Sequence, residues 1–270
     1  SAVLSGEMPH SIISSTATAV SNVVDNASVS FLQIDGAVRT APDKAALWKD
    51  VWFSDPVDLN AASSNTFLRV VALSGMCRTG GFYGRVQDSV VTGNYSLGGS
   101  GGTVDATLVG NTITGSGSLG SGSGGVVKGV FARNTIIGDA VVGAEGGSIN
   151  GCFIENTIAG QSCVGGAGGT IDGTFTGNTI LGMSTLGWDS GTVNAAFMRN
   201  HIAGPSALGE CTVNATFEQC VFDGPWQLQW GTITANAAFE FTSGLPPSVT
   251  NSPARIAYCT DTDSNALPNQ

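Results

Sequence analysis

The sequence has few charged residues, and few of these are positive. Charged residues make up 11% of the 270 residues, with ten Lys and Arg against twenty Asp and Glu, for a formal net charge of −10. A surface that binds nucleic-acid phosphates or anionic lipid needs clustered Lys and Arg. We therefore expect neither nucleic acid nor a membrane among the partners.

The chain also lacks long apolar runs and metal-binding signatures. No stretch approaches the roughly 18 apolar residues of a membrane-spanning helix, and no basic-then-apolar leader opens the sequence. The two histidines, His10 and His201, lie far apart and neither has a metal-ligand spacing. We expect no metal, no cofactor and no Ser-His-Asp site.

The cysteines form no CxxC motif and no compact disulfide pattern. They are Cys77, Cys152, Cys163, Cys211, Cys220 and Cys259. This spacing predicts free thiols in a protein that assembles in a reducing compartment.

Glycine, in contrast, is abundant, and the chain repeats itself. The 39 glycines follow no Gly-X-Y period, which favours tightly turning β-structure over collagen. An Asn-Thr-Ile motif returns at spacings of 23, 22 and 22 residues, and Asn-His-Ile follows after 22 more. The repeated asparagines are Asn111, Asn134, Asn156, Asn178 and Asn200. We expect them to stack at a corner of a repeating coil, with their amides hydrogen-bonded along the axis.

In another stretch of each repeat, inward apolar residues alternate with outward residues, a period of two that is typical of β-strands. One inward column is aromatic and comprises Phe131, Phe153, Phe175, Phe197 and Phe217. Since stacked coils place equivalent residues about 4.8 Å apart, these rings are predicted to form a face-to-face ladder.

Together the columns predict an all-β fold, a right-handed parallel β-helix with three strands in each coil of about 22 residues. A leucine-rich repeat would need a helical convex segment, which the glycine- and serine-rich stretch 116–125 cannot supply. A hexapeptide solenoid would need about 18 residues per coil and does not fit the spacing.

The flanking segments break the repeat and divide the chain into three parts. Residues 1–65 are predicted to be an arm and capping segment, 66–241 the β-helix, and 242–270 a tail or linker. Within the first part, Pro42 and Asp43 resemble a helix start, and the apolar residues from Ala45 to Trp52 predict a short helical cap. Residues 80–87 are interpreted as an irregular opening coil.

Two outward columns are candidate binding surfaces. One is polar and runs through Asp105, Lys128, Asn150, Asp172, Asn194 and Asn214; it is either solvated surface or a groove for sugar hydroxyls. The other carries Thr112, Thr135, Thr157 and Thr179. An ice-binding face would need paired Thr-x-Thr ranks, and only residues 112–114 have that form.

Glycosidase chemistry needs two carboxylates roughly 5 to 9.5 Å apart. Asp189 and Glu210 lie on neighbouring predicted coils and are the candidate catalytic pair. Trp188, Trp226 and Trp230 are candidates for stacking on a sugar ring, with capping as the alternative role. No coil carries the long insertions that wall a cleft, which argues against an enzyme; a glycan hydrolase or lyase is the alternative.

The segment Ala254–Asp261, with the sequence ARIAYCTD, resembles a stretch found after the body of bacteriophage tail spike and tail fibre proteins. The glycine-rich solenoid before it is similar in architecture. The resemblance implies a virion component outside the cell, built as a homotrimer, attached to other tail proteins through its N-terminal arm and contacting bacterial surface polysaccharide. The alternatives are a secreted polysaccharide-degrading enzyme of pectate-lyase-like architecture, and a surface adhesin.

Overall fold

The computed structural model describes residues 12–22, 27–40, 44–58, 64–76, 81–94, 97, 102–119, 124–142, 146–188, 190–204, 206–208, 211–223, 232–244, 253–257, 259–260 and 266–267. Every regular element in these ranges is a β-strand, and no helix occurs among them. No helix in the described ranges is therefore long and apolar enough to cross a membrane.

The strands of the first half are β1 (Ile12–Asn22), β2 (Ala27–Thr40), β3 (Ala46–Phe53), β4 (Val57–Asp58), β5 (Asn65–Leu68), β6 (Val71–Ala72), β7 (Phe82–Gln87), β8 (Val90–Thr92), β9 (Thr103–Val109), β10 (Thr112–Thr114), β11 (Gly117–Leu119), β12 (Val126–Ala132), β13 (Thr135–Val142), β14 (Ser148–Ile154) and β15 (Thr157–Ala167). Those of the second half are β16 (Thr170–Ile171), β17 (Thr174–Thr176), β18 (Thr179–Trp188), β19 (Gly191–Val193), β20 (Ala196–Met198), β21 (His201–Ala203), β22 (Ser206–Leu208), β23 (Cys211–Val213), β24 (Thr216–Glu218), β25 (Val221–Asp223), β26 (Thr232–Ile233), β27 (Ala238–Glu240), β28 (Thr242–Ser243), β29 (Arg255–Ile256), β30 (Cys259–Thr260) and β31 (Ala266–Leu267).

The strands stack as a parallel β-solenoid, as the repeat predicted. The strand β12 pairs in parallel with β9 of the preceding coil and β14 of the next, residue for residue. Parallel pairing extends on both sides of the predicted limits, from β1 against β2 to β28 against β30. Among the described strands only β30 and β31 pair antiparallel.

The number of separate strands varies between coils. The strands β15 and β18 run on without a break, whereas the equivalent stretch one coil later is divided into β21 and β22. The strand bounds therefore do not establish three strands per coil.

The core consists of columns of like side chains. The predicted phenylalanine ladder is present: consecutive ring centroids from Phe131 to Phe217 are 4.5, 4.6, 4.8 and 4.8 Å apart, with interplanar angles of 4 to 16°. Phe239 extends it by a further ring at 5.0 Å. All these rings are buried, so the repeat of one residue type produces a continuous stacked core.

The asparagine ladder is also confirmed. Asn156 is buried, and its Oδ1 accepts hydrogen bonds from the backbone N–H of Asn134 at 2.9 Å and from Asn134 Nδ2 at 3.0 Å. Its Nδ2 donates to the Phe131 carbonyl at 2.8 Å and to Asn178 Oδ1 at 2.9 Å. Each rung thus satisfies a backbone N–H and a backbone carbonyl that the corner would leave buried and unpaired.

The left-handed backbone of this corner lies one residue before each asparagine. Arg133, Glu155 and Arg199 have φ values of 52, 54 and 53°. We predicted a left-handed backbone at the corner that the asparagines form. The structure has it there, at the exposed residues that precede the asparagines.

The helical cap predicted near Pro42 is wrong, because β3 (Ala46–Phe53) is a strand that pairs in parallel with β2 and β5. Trp48 faces inward and stacks on Phe67, with ring centroids 6.2 Å apart and planes 7° apart. Asp50 has a φ of 55°, so the chain turns a corner in the middle of β3. The corner shifts the inward positions by one residue, so that the buried residues are Ala46, Trp48, Val51 and Phe53. This spacing of apolar residues resembles that of an amphipathic helix.

Candidate carbohydrate-binding face

The polar outward column predicted from the sequence forms one face of the solenoid. We call it, together with the outward column two residues further along each strand, the polar face. The first column contains Ser64, Tyr83, Asp105, Lys128, Asn150, Asp172, Asn194, Asn214 and Thr234. The second contains Thr66, Arg85, Thr107, Val130, Cys152, Thr174, Ala196 and Thr216.

The C-terminal part of the first column is a hydrogen-bonded chain of side chains. Asn194 Nδ2 donates to Asp172 Oδ1 at 2.8 Å, and Asn214 Nδ2 donates to Asn194 Oδ1 at 2.9 Å. The hydroxyl of Thr234 donates to Asn214 Oδ1 at 2.5 Å. These bonds orient the amides along the axis, so that their remaining donors and acceptors face outward in a fixed array.

The N-terminal part of the face carries charge. Lys128 Nζ lies 2.9 Å from Asp105 Oδ2 in the neighbouring coil, and both side chains are partly exposed. The hydrogen bond from Lys128 to Asp105 raises the pKa of the lysine, whose ammonium group therefore stays protonated near neutral pH. At this exposure the pair fixes side-chain position more than it stabilises the fold.

A shallow groove of about 410 Å³ runs between the two columns in this part. Tyr83 and Asp105 lie on one side and Arg85 and Thr107 on the other. The groove is lined by polar and apolar groups in similar proportion, lies along the solenoid axis, and has a volume within the range of small-ligand sites.

Backbone forms the floor of this groove. Gly84 and Gly129 adopt φ values of +134 and +116°, and a Cβ on either would collide with the backbone of the preceding coil. In the next coil, a Cβ on Gly151 would lie 3.0 Å from a ring carbon of Phe131. Small residues therefore recur here because the coils and the phenylalanine ladder leave no room for larger ones.

The face can hydrogen-bond to a polyhydroxylated ligand. Amide, hydroxyl and carboxylate groups recur along the axis at the spacing of stacked coils, about 4.8 Å. Sugar hydroxyls both donate and accept, and they match such mixed groups. Among the described residues, no group of three His, Cys, Asp or Glu side chains is arranged to hold a metal ion.

Four of the five predicted catalytic and ring-stacking residues lie outside the described residues. These are Asp189, Glu210, Trp226 and Trp230, so their roles stay predictions. Trp188 ends β18, where its backbone pairs with Ala167, and its side chain is not described. His201 Nε2 lies 3.6 Å from Asp223 Oδ2, at the end of a different face.

The structure adds two residues that the sequence interpretation missed. Tyr83 and Arg85 lie on β7, within the stretch interpreted as an irregular opening coil, yet β7 pairs in register with β9. The alternation of Phe82 and Val86 with polar residues was the available signal. This alternation was hard to recognise because the inward position between Phe82 and Val86 is held by Gly84, which has no apolar side chain.

The thiols of Cys152, Cys211 and Cys220 are free, as predicted for these three. Cys152 is exposed on the polar face, whereas the other two are buried. Burial raises the pKa of the Cys211 thiol to about 12. The side chains of the remaining cysteines are not described.

No protein-family model matches the chain, and searches of curated proteins and of solved structures found no match either.

Proposed function

We propose that this protein is a structural and receptor-binding component of a bacteriophage tail spike or fibre, and that its polar face contacts a bacterial surface glycan. The observation that carries the proposal is the axial array from Asp172 to Thr234, in which hydrogen bonds between coils hold exposed polar groups in fixed positions. Pre-ordered groups lose little conformational entropy when a ligand binds.

The architecture supports the same proposal. Each coil pairs in parallel with its neighbours, and from β12 onward like side chains stack on one another, which gives a body that is stiff along its axis. A stiff shaft suits a part that must hold a binding surface away from a particle. The proposal includes a right-handed helix with three strands per coil, a homotrimer, and attachment to other tail proteins through the N-terminal segment. It places the protein outside the cell, on the virion.

The binding test uses a panel of immobilised bacterial surface polysaccharides and the intact chain. For a polysaccharide that binds, Asp172→Ala should weaken binding about tenfold, which corresponds to about 1.4 kcal/mol. Asp139→Ala is the matched control, because Asp139 is also an exposed aspartate of the solenoid but lies outside the polar face. Its affinity should stay within about twofold of the original.

Failure of every polysaccharide to bind, or equal binding by both variants, would overturn the proposal. Release of new reducing or unsaturated sugar ends from a bound polysaccharide would favour the enzyme alternative instead. Asp189→Asn and Glu210→Gln would then test the predicted catalytic pair. Loss of binding in Trp188→Ala, Trp226→Ala or Trp230→Ala would support the predicted stacking role of these rings.

A further inference from the structure

A second face of the solenoid carries almost no charge. It follows the asparagine corner, and we call it the threonine face. Its first outward column contains Trp52, Val71, Val90, Thr112, Thr135, Thr157, Thr179, His201 and Val221. Its second contains Ser54, Leu73, Thr92, Thr114, Ile137, Ala159, Leu181 and Ala203. None of these residues is Asp, Glu, Lys or Arg.

The threonine face also exposes large apolar side chains. Leu73 and Ile137 are 43% and 44% exposed, and Val221, which follows in the first column after His201, is 45% exposed. The pairing along both columns proceeds from β8 through β10 and β13 to β15 and β18 without a shift in register. The face is therefore an even surface of hydroxyl, methyl and aliphatic groups.

Charged residues border this face. Arg133, Glu155 and Arg199 project from the asparagine corner beside the first column, and all three are exposed. Among the described residues of the two columns, Asp and Glu occur only at the ends, as Asp35 before Ser54 and Asp223 after Ala203. A charge-depleted centre with a charged rim is the composition that distinguishes the buried part of protein interfaces.

The charge and spacing of the face point to a second copy of the same chain. At a net charge of −10, two copies repel each other, and this repulsion is weakest where each presents an uncharged surface. The side chains recur along the axis at the rise of one coil, about 4.8 Å. Another copy has the same rise, so ridges and gaps can match over the whole length of the face. A partner with a different repeat would lose register after a few coils.

We propose that the threonine face is the surface through which copies of this chain associate. The contact would bury Leu73, Ile137 and the threonine column between copies, and would leave the polar face in solvent. This inference does not depend on glycan binding, since it concerns a different set of side chains.

The test compares two lysine substitutions at exposed, β-branched strand residues. Ile137→Lys places a charge in the middle of the threonine face, whereas Val130→Lys places one on the polar face, at 40% exposure. The mass of each intact chain is measured by light scattering after size exclusion, over a range of concentrations. The unchanged protein should have a mass of two or more chains of 27.2 kDa. Ile137→Lys should raise the dissociation constant at least tenfold, and Val130→Lys should leave it unchanged.

A single-chain mass for the unchanged protein would overturn the inference, and so would equal dissociation of both variants. Far-ultraviolet circular dichroism verifies that Ile137→Lys keeps its β-structure. If the variant does not fold, Thr157→Lys, one coil further along the same face, replaces it under the same criteria. Binding of a short, monovalent oligosaccharide is measured in parallel. An associated protein that binds no glycan would refute the proposed glycan contact and leave this inference standing. A monomer that binds glycan would refute this inference together with the proposed homotrimer, and would leave the glycan contact standing.

Discussion

Replacing Asn156 with alanine removes a central rung of the asparagine ladder. The amide accepts two hydrogen bonds from Asn134 and donates one to the Phe131 carbonyl and one to Asn178 Oδ1. The backbone N–H of Asn156 continues to bond Asn178 Oδ1 at 2.8 Å, and Asn134 Nδ2 keeps its bond to the Leu108 carbonyl. The main losses are therefore the acceptor for the Asn134 N–H and the amide donor to Phe131.

The expected cost follows from these losses. A buried polar group that loses its partner destabilises a protein by about 1 to 3 kcal/mol. With two such groups affected, Asn156→Ala should lower the free energy of unfolding by about 3 kcal/mol.

The measurement is urea unfolding followed by circular dichroism and by tryptophan fluorescence, with coincident transitions as the sign of cooperative unfolding. The matched control is Asn150→Ala, which removes an exposed asparagine from the preceding strand and should change stability by no more than about 0.5 kcal/mol. A loss below about 1 kcal/mol for Asn156→Ala, or equal losses for both variants, would refute the hydrogen-bond argument.

Four further predictions concern the core, the groove floor and the cysteines. Cys220→Asn should lengthen the ladder by one rung and raise the free energy of unfolding by about 1 kcal/mol, measured by the same urea titration; no gain would mean that the ladder cannot extend there. Gly129→Ala should destabilise the fold by about 2 kcal/mol, because it combines a φ of +116° with a backbone collision, and Gly151→Ala should cost less, because the neighbouring ring can shift. Equal melting temperatures for these two variants would contradict this ranking. Cys152 should be alkylated in the native protein at pH 8, whereas Cys211 should react only after unfolding, as peptide mass spectrometry would show. Since burial raises the pKa of Cys211 from 9.0 to about 12, the unfolded chain releases this proton first, and stability should fall as the pH rises through that window.

The repeat was predictable from the sequence because each coil carries the same side chains in the same columns. Phe153 and Asn156 have equivalents in the neighbouring coils, so period, register and burial all follow from one alignment. The polar face was predictable for the same reason, since it is the outward side of the strand whose inward side holds the phenylalanines.

The N-terminal coils were not predictable in this way, because their columns change residue type. The position of Phe131 is held by Leu108, Val86, Phe67 and Trp48 in successive earlier coils. The length of these coils also differs, as the separation of 19 residues between Trp48 and Phe67 shows. Without a repeated motif, the corner at Asp50 was indistinguishable from one turn of an amphipathic helix.

The asparagine ladder also has a direction. From Asn111 to Asn178, each Nδ2 donates one hydrogen bond forward to Oδ1 of the next asparagine and one back to a carbonyl of the preceding coil. The forward bonds all run the same way along the axis and polarise one another. The row ends at the amide of Asn200, whose Nδ2 lies 3.9 Å from Cys220 Sγ. Burial raises the pKa of the Cys220 thiol, and hydrogen bonds that include those from Asn200 oppose part of that rise. The cysteine that replaces the last asparagine therefore closes the row, because its sulfur accepts from Asn200 Nδ2 and its thiol donates to the Phe197 carbonyl at 3.5 Å.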